Sequence, residues 1–321
     1  MSAGQQYLFD DMRPESDDAD FQKELKGWSY TRREVFEKCQ RLYYYQYYGA
    51  TARLAISDQQ KPRLRFLKML SNRHMRVGKI MHWAIRCTLK GREEGREWLL
   101  DSLIHFARNK FEDDLAFSRC YKEGTPLSDG ISAPALLMEF YYGMADAEQR
   151  CRESQARLAQ ALQNFGTAAT YQPFRAGVDG GGAKIESPIA VKLRGVTLRG
   201  MVDLAFTHEG RSTVVDWKMS GGEGGEDSLQ LLFYAMWAKQ EFGSQPEHVD
   251  LFKAYLCSGM ISRFDFTPKA VMRATARIAQ DVDRMRAVDD YGRKGIAEAF
   301  TPCGQERVCR GCAFQAVCPK E

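Results

Sequence analysis

No stretch of this 321-residue chain stays apolar for the ~20 residues needed to cross a bilayer, so a membrane-spanning helix is not expected. The N-terminus lacks the charged-then-apolar pattern of a secretory signal, and the expected compartment is the cytoplasm. There is no Gly-x4-Gly-Lys-Ser/Thr phosphate loop, which excludes a P-loop motor. No internal repeat is visible, which excludes a solenoid. Nine cysteines are present, but a reducing compartment excludes a disulfide framework, and clustered cysteines there point to metal. Hydrophobic content of 44% and charged content of 27% belong to an ordinary globular protein large enough to bury a full core. Net charge is only +4, so a polyanionic partner must be argued from the placement of charge. Lys61, Arg63, Arg65, Lys68, Arg73 and Arg76 supply that argument, with no acid among them. A solvated helix face is the competing reading.

The most informative block runs from Gly200 to Tyr234. It holds Gly200-x2-Asp203, Asp216-x-Lys218 and Gln230-x3-Tyr234. Residues i and i+2 of a strand share a face, so Asp216 and Lys218 share a pocket, with Val215 and Trp217 turned away. A hairpin-like return brings Asp203 to the same end of the sheet. Two carboxylates beside an ammonium suit a hard divalent cation, Mg²⁺ or Mn²⁺, and an activated water. Gln230 and Tyr234, at i and i+4 of a helix, reach the same place. The competing reading of the block is a salt bridge on an edge strand. His82, among Met81, Trp83 and Ile85, is either a packed histidine or a metal ligand.

Along the chain, residues 1–27 read as an acidic mobile tail. Thr31-x2-Glu34 forms a capping box that predicts a helix from Thr31 through the tyrosine-rich run to Gly49. The aromatic residues of that run are expected to pack rather than to stack bases. Another helix holds Gly78 to Trp83, and helical patterning dominates 92–175, read as an insertion. Strands follow at Ile185–Leu193, Val196–Thr207 and Ser212–Lys218 as an antiparallel meander. A glycine-rich loop then leads to a helix from about Asp227 to Gln240. Strands near 251–257 and 261–266, and a helix from Pro268 to Val288, precede a Cys-rich tail at 301–321.

In that tail, Cys309-x2-Cys312-x5-Cys318 suits a thiolate-bound metal. Cys303 would complete a local zinc site. Cys87, Cys120, Cys151 and Cys257 are isolated and read as small apolar residues.

Gly78-x3-His82, Gly200-x2-Asp203, Asp216-x-Lys218 and Gln230-x3-Tyr234 occur in the order and spacing of the PD-(D/E)XK nucleases, and the chain resembles their RecB/AddB type over residues 28–90 and 183–321. The resemblance implies an α/β, restriction-endonuclease-like core, with a mixed central sheet flanked by helices and a large helical insertion, within one domain at 28–321. It implies His82, Asp203 and Asp216 as metal ligands, with Glu186 as an additional acid. Lys218 becomes the catalytic lysine, and Gln230 with Tyr234 the DNA-contacting motif. Met219-Ser220-Gly221 replaces the family's usual Thr-Gly after the lysine.

Lys38-Cys39-Gln40-Arg41-Leu42-Tyr43 resembles the context of the distant cysteine in iron–sulfur members, with Gln40 for the usual proline. That implies Cys39, Cys309, Cys312 and Cys318 around a [4Fe–4S] cluster, with zinc as the alternative. The implied activity is metal-dependent hydrolysis of DNA, exonucleolytic, from free or single-stranded ends, in repair, recombination or defence. The rival readings are a non-catalytic DNA-binding subunit of a helicase–nuclease complex and a defence endonuclease. A helicase subunit would have to supply any unwinding. Gln5-Gln6-Tyr7-Leu8-Phe9 resembles the peptide by which bacterial repair proteins grip the sliding clamp, with a chance match as the alternative.

Overall fold

The structure, a computed structural model, describes residues 27–51, 60–96, 99–128, 130–193, 195–219 and 229–319. Strands β1 (Lys184–Leu193), β2 (Val196–His208), β3 (Arg211–Lys218), β4 (Val249–Tyr255) and β5 (Met260–Phe264) form one sheet in that spatial order. All neighbouring pairs are antiparallel except β3 and β4. The parallel pair requires a crossover, and helix α9 (Leu229–Phe242) makes it. No helix among the described residues is long and apolar enough to cross a membrane.

Helices cover both faces of the sheet. On one lie α1 (Tyr30–Lys38), α2 (Gln40–Tyr44), α9 and α10 (Pro268–Arg293), packed around Trp28, Tyr44, Val214, Phe233, Leu251 and Ile278. On the other lie α4 (Arg73–Glu93), α5 (Leu100–Arg119) and α7 (Ala147–Thr167). The stripe Val77, Ile80, Met81, Ala84 and Ile85 recurs at helical spacing and turns α4 toward Phe111, Leu158 and Trp217. Trp217 is fully enclosed and meets Phe165, Tyr171 and Phe174 edge-on, with ring centroids 5.6, 6.2 and 5.9 Å away. That packing holds Trp217 on the face opposite Asp216. Four shorter helices complete the α-helices among the described residues: α3 (Lys61–Met69), α6 (Met138–Tyr141), α8 (Gln172–Ala176) and α11 (Glu306–Arg310).

The two apolar faces exchange partway along β1 and β2. Ile185 and Leu204 belong to the α4 side, whereas Ile189, Val191, Leu198 and Val202 belong to the α9 side. Between Ile185↔Leu204 and Ser187↔Val202, Glu186 and Asp203 stand opposite each other. Glu186 takes φ +44°, a left-handed conformation that costs a non-glycine residue about 1 kcal/mol or more. The strain sits where two acidic side chains are aimed together.

Several expected boundaries shift. The helix predicted to start at Thr31 is capped by Ser29, whose Oγ accepts the Arg32 amide at 3.1 Å, so Thr31 lies inside it. The predicted single helix to Gly49 breaks at Cys39, where the backbone is extended (φ −170°, ψ 118°). Cys39 caps the next helix through its sulfur, and Arg41 is drawn to the C-terminal tail by bonds to the carbonyls of Thr301 and Phe300. The tyrosine run then closes with a π turn, Tyr45–Gly49. The last long helix reaches Arg293 rather than Val288. The glycine loop after Lys218 and the segment at residues 5–9 lie outside the described residues.

The basic segment is also less free than its sequence suggests. Arg76 is buried in a bidentate pair with Asp114, at 2.7 and 2.9 Å. Arg73 pairs with the buried Glu139 at 3.0 Å. A polyanion could reach only the part on α3.

Candidate metal and catalytic site

The ends of β1, β2 and β3, with one wall of α4 and the start of α9, enclose a cleft of about 690 Å³. His82, Glu186, Asp203, Asp216, Lys218, Gln230 and Tyr234 all line it. Each element delivers its residue for a local reason. The β2–β3 ladder ends at Leu204↔Val215, and the Trp217 amide, left without a backbone partner there, donates to Asp203 Oδ2 at 2.7 Å. Asp203 is thereby fixed in place of a ladder bond. Gly200 allows α9 to approach: a Cβ there would lie 2.6 Å from the Phe233 ring, which is itself locked edge-on against Trp28. Gly78, the other glycine of the sequence pattern, shows no such crowding among the described residues.

His82 Nδ1 lies 2.7 Å from Glu186 Oε1 and 3.7 Å from Asp203 Oδ1. Ligand atoms of these three residues fall within 4.8 Å of one another, and among the described residues no other such group of His, Cys, Asp or Glu occurs. Asp216 stands beside this set, with Lys218 Nζ at 2.7 Å from its Oδ2 and no well-directed hydrogen bond to that buried oxygen. Lys218 Nζ also donates to Gln230 Oε1 at 3.1 Å. Gln230 Nε2 donates to the Tyr234 hydroxyl at 2.7 Å, and that hydroxyl donates to the Met201 carbonyl at 2.6 Å. A chain of hydrogen bonds therefore runs from the lysine back to β2.

The electrostatics are those of a crowded acid cluster. Burial opposes charge on His82, but Asp203, Glu186 and Asp216 outweigh it and raise its pKa from 6.5 to about 9. Burial pushes the Asp203 carboxyl up to about 7, with Asp216 and Glu186 adding to the rise and His82 and Lys218 opposing it. Burial, then the charges of Asp203 and Asp216, hold the Tyr234 phenol neutral, a donor rather than a phenolate. Hard carboxylate oxygens beside an imidazole are a donor set that suits a divalent cation.

Sequence reasoning did not single out the rim. Lys79, Trp83 and Arg86, spaced i, i+4 and i+7 on the helix that carries His82, line the same cleft, as do Arg199 and Tyr30. The helical spacing around His82 carried that signal.

Cys39, at the start of α2, lies near Cys303, Cys309, Cys312 and Cys318 of the 301–319 segment, close enough that their charges act on one another. The Leu42 amide donates to Cys39 Sγ at 3.5 Å and the Phe314 amide to Cys312 Sγ at 3.4 Å. Burial pushes the Cys312 thiol up to about 11, with the charges of Cys39 and Cys318 adding to it. Cys303 Sγ lies 4.0 Å from Cys309 Sγ. Tyr45 stacks on Phe314 at 5.3 Å, and the Tyr142 hydroxyl donates to the Ala313 carbonyl at 2.6 Å.

No curated protein matches the chain. A crystal structure of SSO0001 is similar over 54% of this chain and 81% of its own, at 16% identity and a TM-score of 0.26. The sequence model of the PD-(D/E)XK nuclease superfamily matches residues 27–319. With a five-stranded mixed sheet flanked by helices and an acidic cleft at its strand ends, the chain belongs to the PD-(D/E)XK nuclease superfamily.

Proposed function

We propose that the chain is a Mg²⁺- or Mn²⁺-dependent deoxyribonuclease of the RecB/AddB type, shortening DNA exonucleolytically from free or single-stranded ends. The observation that carries this reading is the convergence of His82, Glu186 and Asp203 within 4.8 Å, in the cleft that also holds the Lys218–Asp216 contact. His82, Glu186, Asp203 and Asp216 would hold the cation, which when bound supplies Lewis-acid polarisation of a phosphodiester and a water of lowered pKa.

The chain's own residues do the rest. Lys218 faces the cleft and neutralises charge that builds on the phosphoryl oxygens in the transition state. Gln230 and Tyr234 fix its position against the Met201 carbonyl. Lys79, Arg86 and Arg199 on the rim attract the phosphate backbone without reading bases.

Cys39, Cys309, Cys312 and Cys318 hold a [4Fe–4S] cluster in this reading. The amide donors on the Cys39 and Cys312 sulfurs support it, because such bonds stabilise metal-bound thiolates. No three cysteine sulfurs among the described residues lie within 4.8 Å of one another, wider than the ~3.8 Å implied by tetrahedral Zn–S bonds. One observation favours the zinc reading with Cys303 as ligand, its 4.0 Å approach to Cys309. The cluster would clasp the two ends of the domain in the cytoplasm. Any unwinding would come from a helicase partner, and residues 5–9 would offer a sliding-clamp contact.

The test is cleavage of 5′- or 3′-labelled single- and double-stranded DNA by anaerobically purified protein, with Mn²⁺, Mg²⁺ or EDTA. Stepwise shortening that EDTA abolishes supports the reading. Internal cuts would make the protein an endonuclease, and absence of metal-dependent cleavage would leave a DNA-binding subunit.

A further inference from the structure

We infer that a second groove, about 1410 Å³ and separate from the catalytic cleft, binds single-stranded DNA and feeds it toward the acidic site. The inference rests on the reading of the chain as a DNA nuclease. Arg65, Phe66 and Met69 follow Pro62 at i+3, i+4 and i+7 on α3 and form one wall, with Arg63 beside them. Tyr121 and Tyr141 also line the groove, their ring centroids 6.2 and 5.3 Å from that of Phe66, so the three partly exposed rings form one aromatic patch beside the arginines. Aromatic faces beside cations suit unpaired bases and their phosphates. A duplex keeps its bases stacked and would leave those rings unused.

The charges support the same occupant. Arg73, Arg76, Arg92, Arg119 and Arg152 each have an acidic partner. Arg63 and Arg65 are exposed and have no salt-bridge partner among the described residues. Among the described residues Glu123 is the single acid lining the groove.

The groove also lies next to the chemistry. Leu127 lines the groove and Gly130 lines the catalytic cleft. Three residues span at most ~10 Å, so at this rim the two hollows are separated by no more than that. The divider is anchored: Arg76 donates to the carbonyls of Gly130 at 3.0 Å and Ala133 at 2.8 Å while holding Asp114. A strand lying in the groove would therefore end close to the rim of the cleft that holds His82.

The experiment is fluorescence anisotropy in EDTA, so that binding is read without cleavage. Labelled oligothymidylates of about 6 and about 25 nucleotides are compared, the shorter able to fill one hollow and the longer both. The wild-type protein binds the longer one at least tenfold more tightly. Arg63→Glu/Arg65→Glu removes that advantage, and the slope of log affinity against log salt falls by about 1.4, two phosphates at ~0.7 each. Phe66→Leu keeps the apolar packing and weakens the longer oligonucleotide by about fivefold or more through lost stacking. Equal affinity for both lengths, an unchanged slope in the arginine variant, or competition by poly-glutamate as effective as DNA would each overturn the inference. The nuclease reading survives those outcomes, because metal-dependent cleavage tests it separately.

Discussion

The Trp217 amide donates to the side chain of Asp203 at 2.7 Å, where a sheet would normally supply a backbone carbonyl. The same carboxylate turns its other oxygen toward His82, 3.7 Å away. Its structural and chemical roles can therefore be separated by substitution. Asp203→Ala leaves a buried amide without a partner and destabilises the metal-free protein by about 1–3 kcal/mol. Asp203→Asn keeps the acceptor and destabilises less, while removing a charge that any bound cation needs. Urea unfolding in EDTA checks the first point, and Mn²⁺ titration checks the second.

Stability should depend on pH in a defined direction. In the unfolded chain His82 loses its proton near 6.5, whereas in the folded, metal-free site it keeps it to about 9. A raised folded pKa contributes stability that is complete below 6.5 and is lost as pH rises through about 9. Asp203, raised from 3.8 to about 7, acts in the same sense over a lower window. In EDTA, Tm falls between pH 6.5 and 9. Mn²⁺ needs the neutral imidazole and relieves the carboxylate repulsion, so it raises Tm more at pH 8.5 than at pH 6.5. Thermal scans across this range, with and without Mn²⁺, measure both trends.

The buried Arg76–Asp114 pair carries a segment of backbone as well as its own charges. Asp114 also accepts the Ala135 amide at 2.8 Å, so removing either partner strands a charge and loosens the 130–135 segment. Arg76→Ala and Asp114→Ala are each expected to cost about 3–5 kcal/mol, and the Arg76→Met/Asp114→Leu double variant much less. Chemical denaturation of the three variants decides it.

The cysteine centre yields a binary outcome. If the four cysteines hold the proposed [4Fe–4S] cluster, anaerobically prepared protein carries iron and visible absorbance that Cys39→Ala abolishes and Cys303→Ala leaves. Metal analysis that finds zinc, with loss on Cys303→Ala, reverses the ligand assignment.

Much of the cleft was legible because strand and helix periodicity act locally. Asp216-x-Lys218 and Gln230-x3-Tyr234 each needed only one element's repeat to be placed on one face, and the structure puts all four in one cleft. Glu186 was harder. Its approach to His82 depends on the exchange of faces in β1 and β2 and on a strained φ, neither of which leaves a periodic trace. Arg76 misled for the complementary reason: its partner Asp114 lies 38 residues away, so a basic run on paper is an internal ion pair in the fold. The break at Cys39 was hidden by a continuous helical pattern. The bonds from Arg41 to residues 300 and 301 that accompany it come from the far end of the chain.

The most direct test of the central claim is single-turnover cleavage of labelled single-stranded DNA by the wild type and Lys218→Ala, with Mn²⁺ affinity measured in parallel. The account predicts that the variant still binds Mn²⁺ but cleaves at least ~10²-fold more slowly, because a transition-state cation has been removed and the ligand set has not. Cleavage by Lys218→Ala at a rate close to that of the wild type would contradict it.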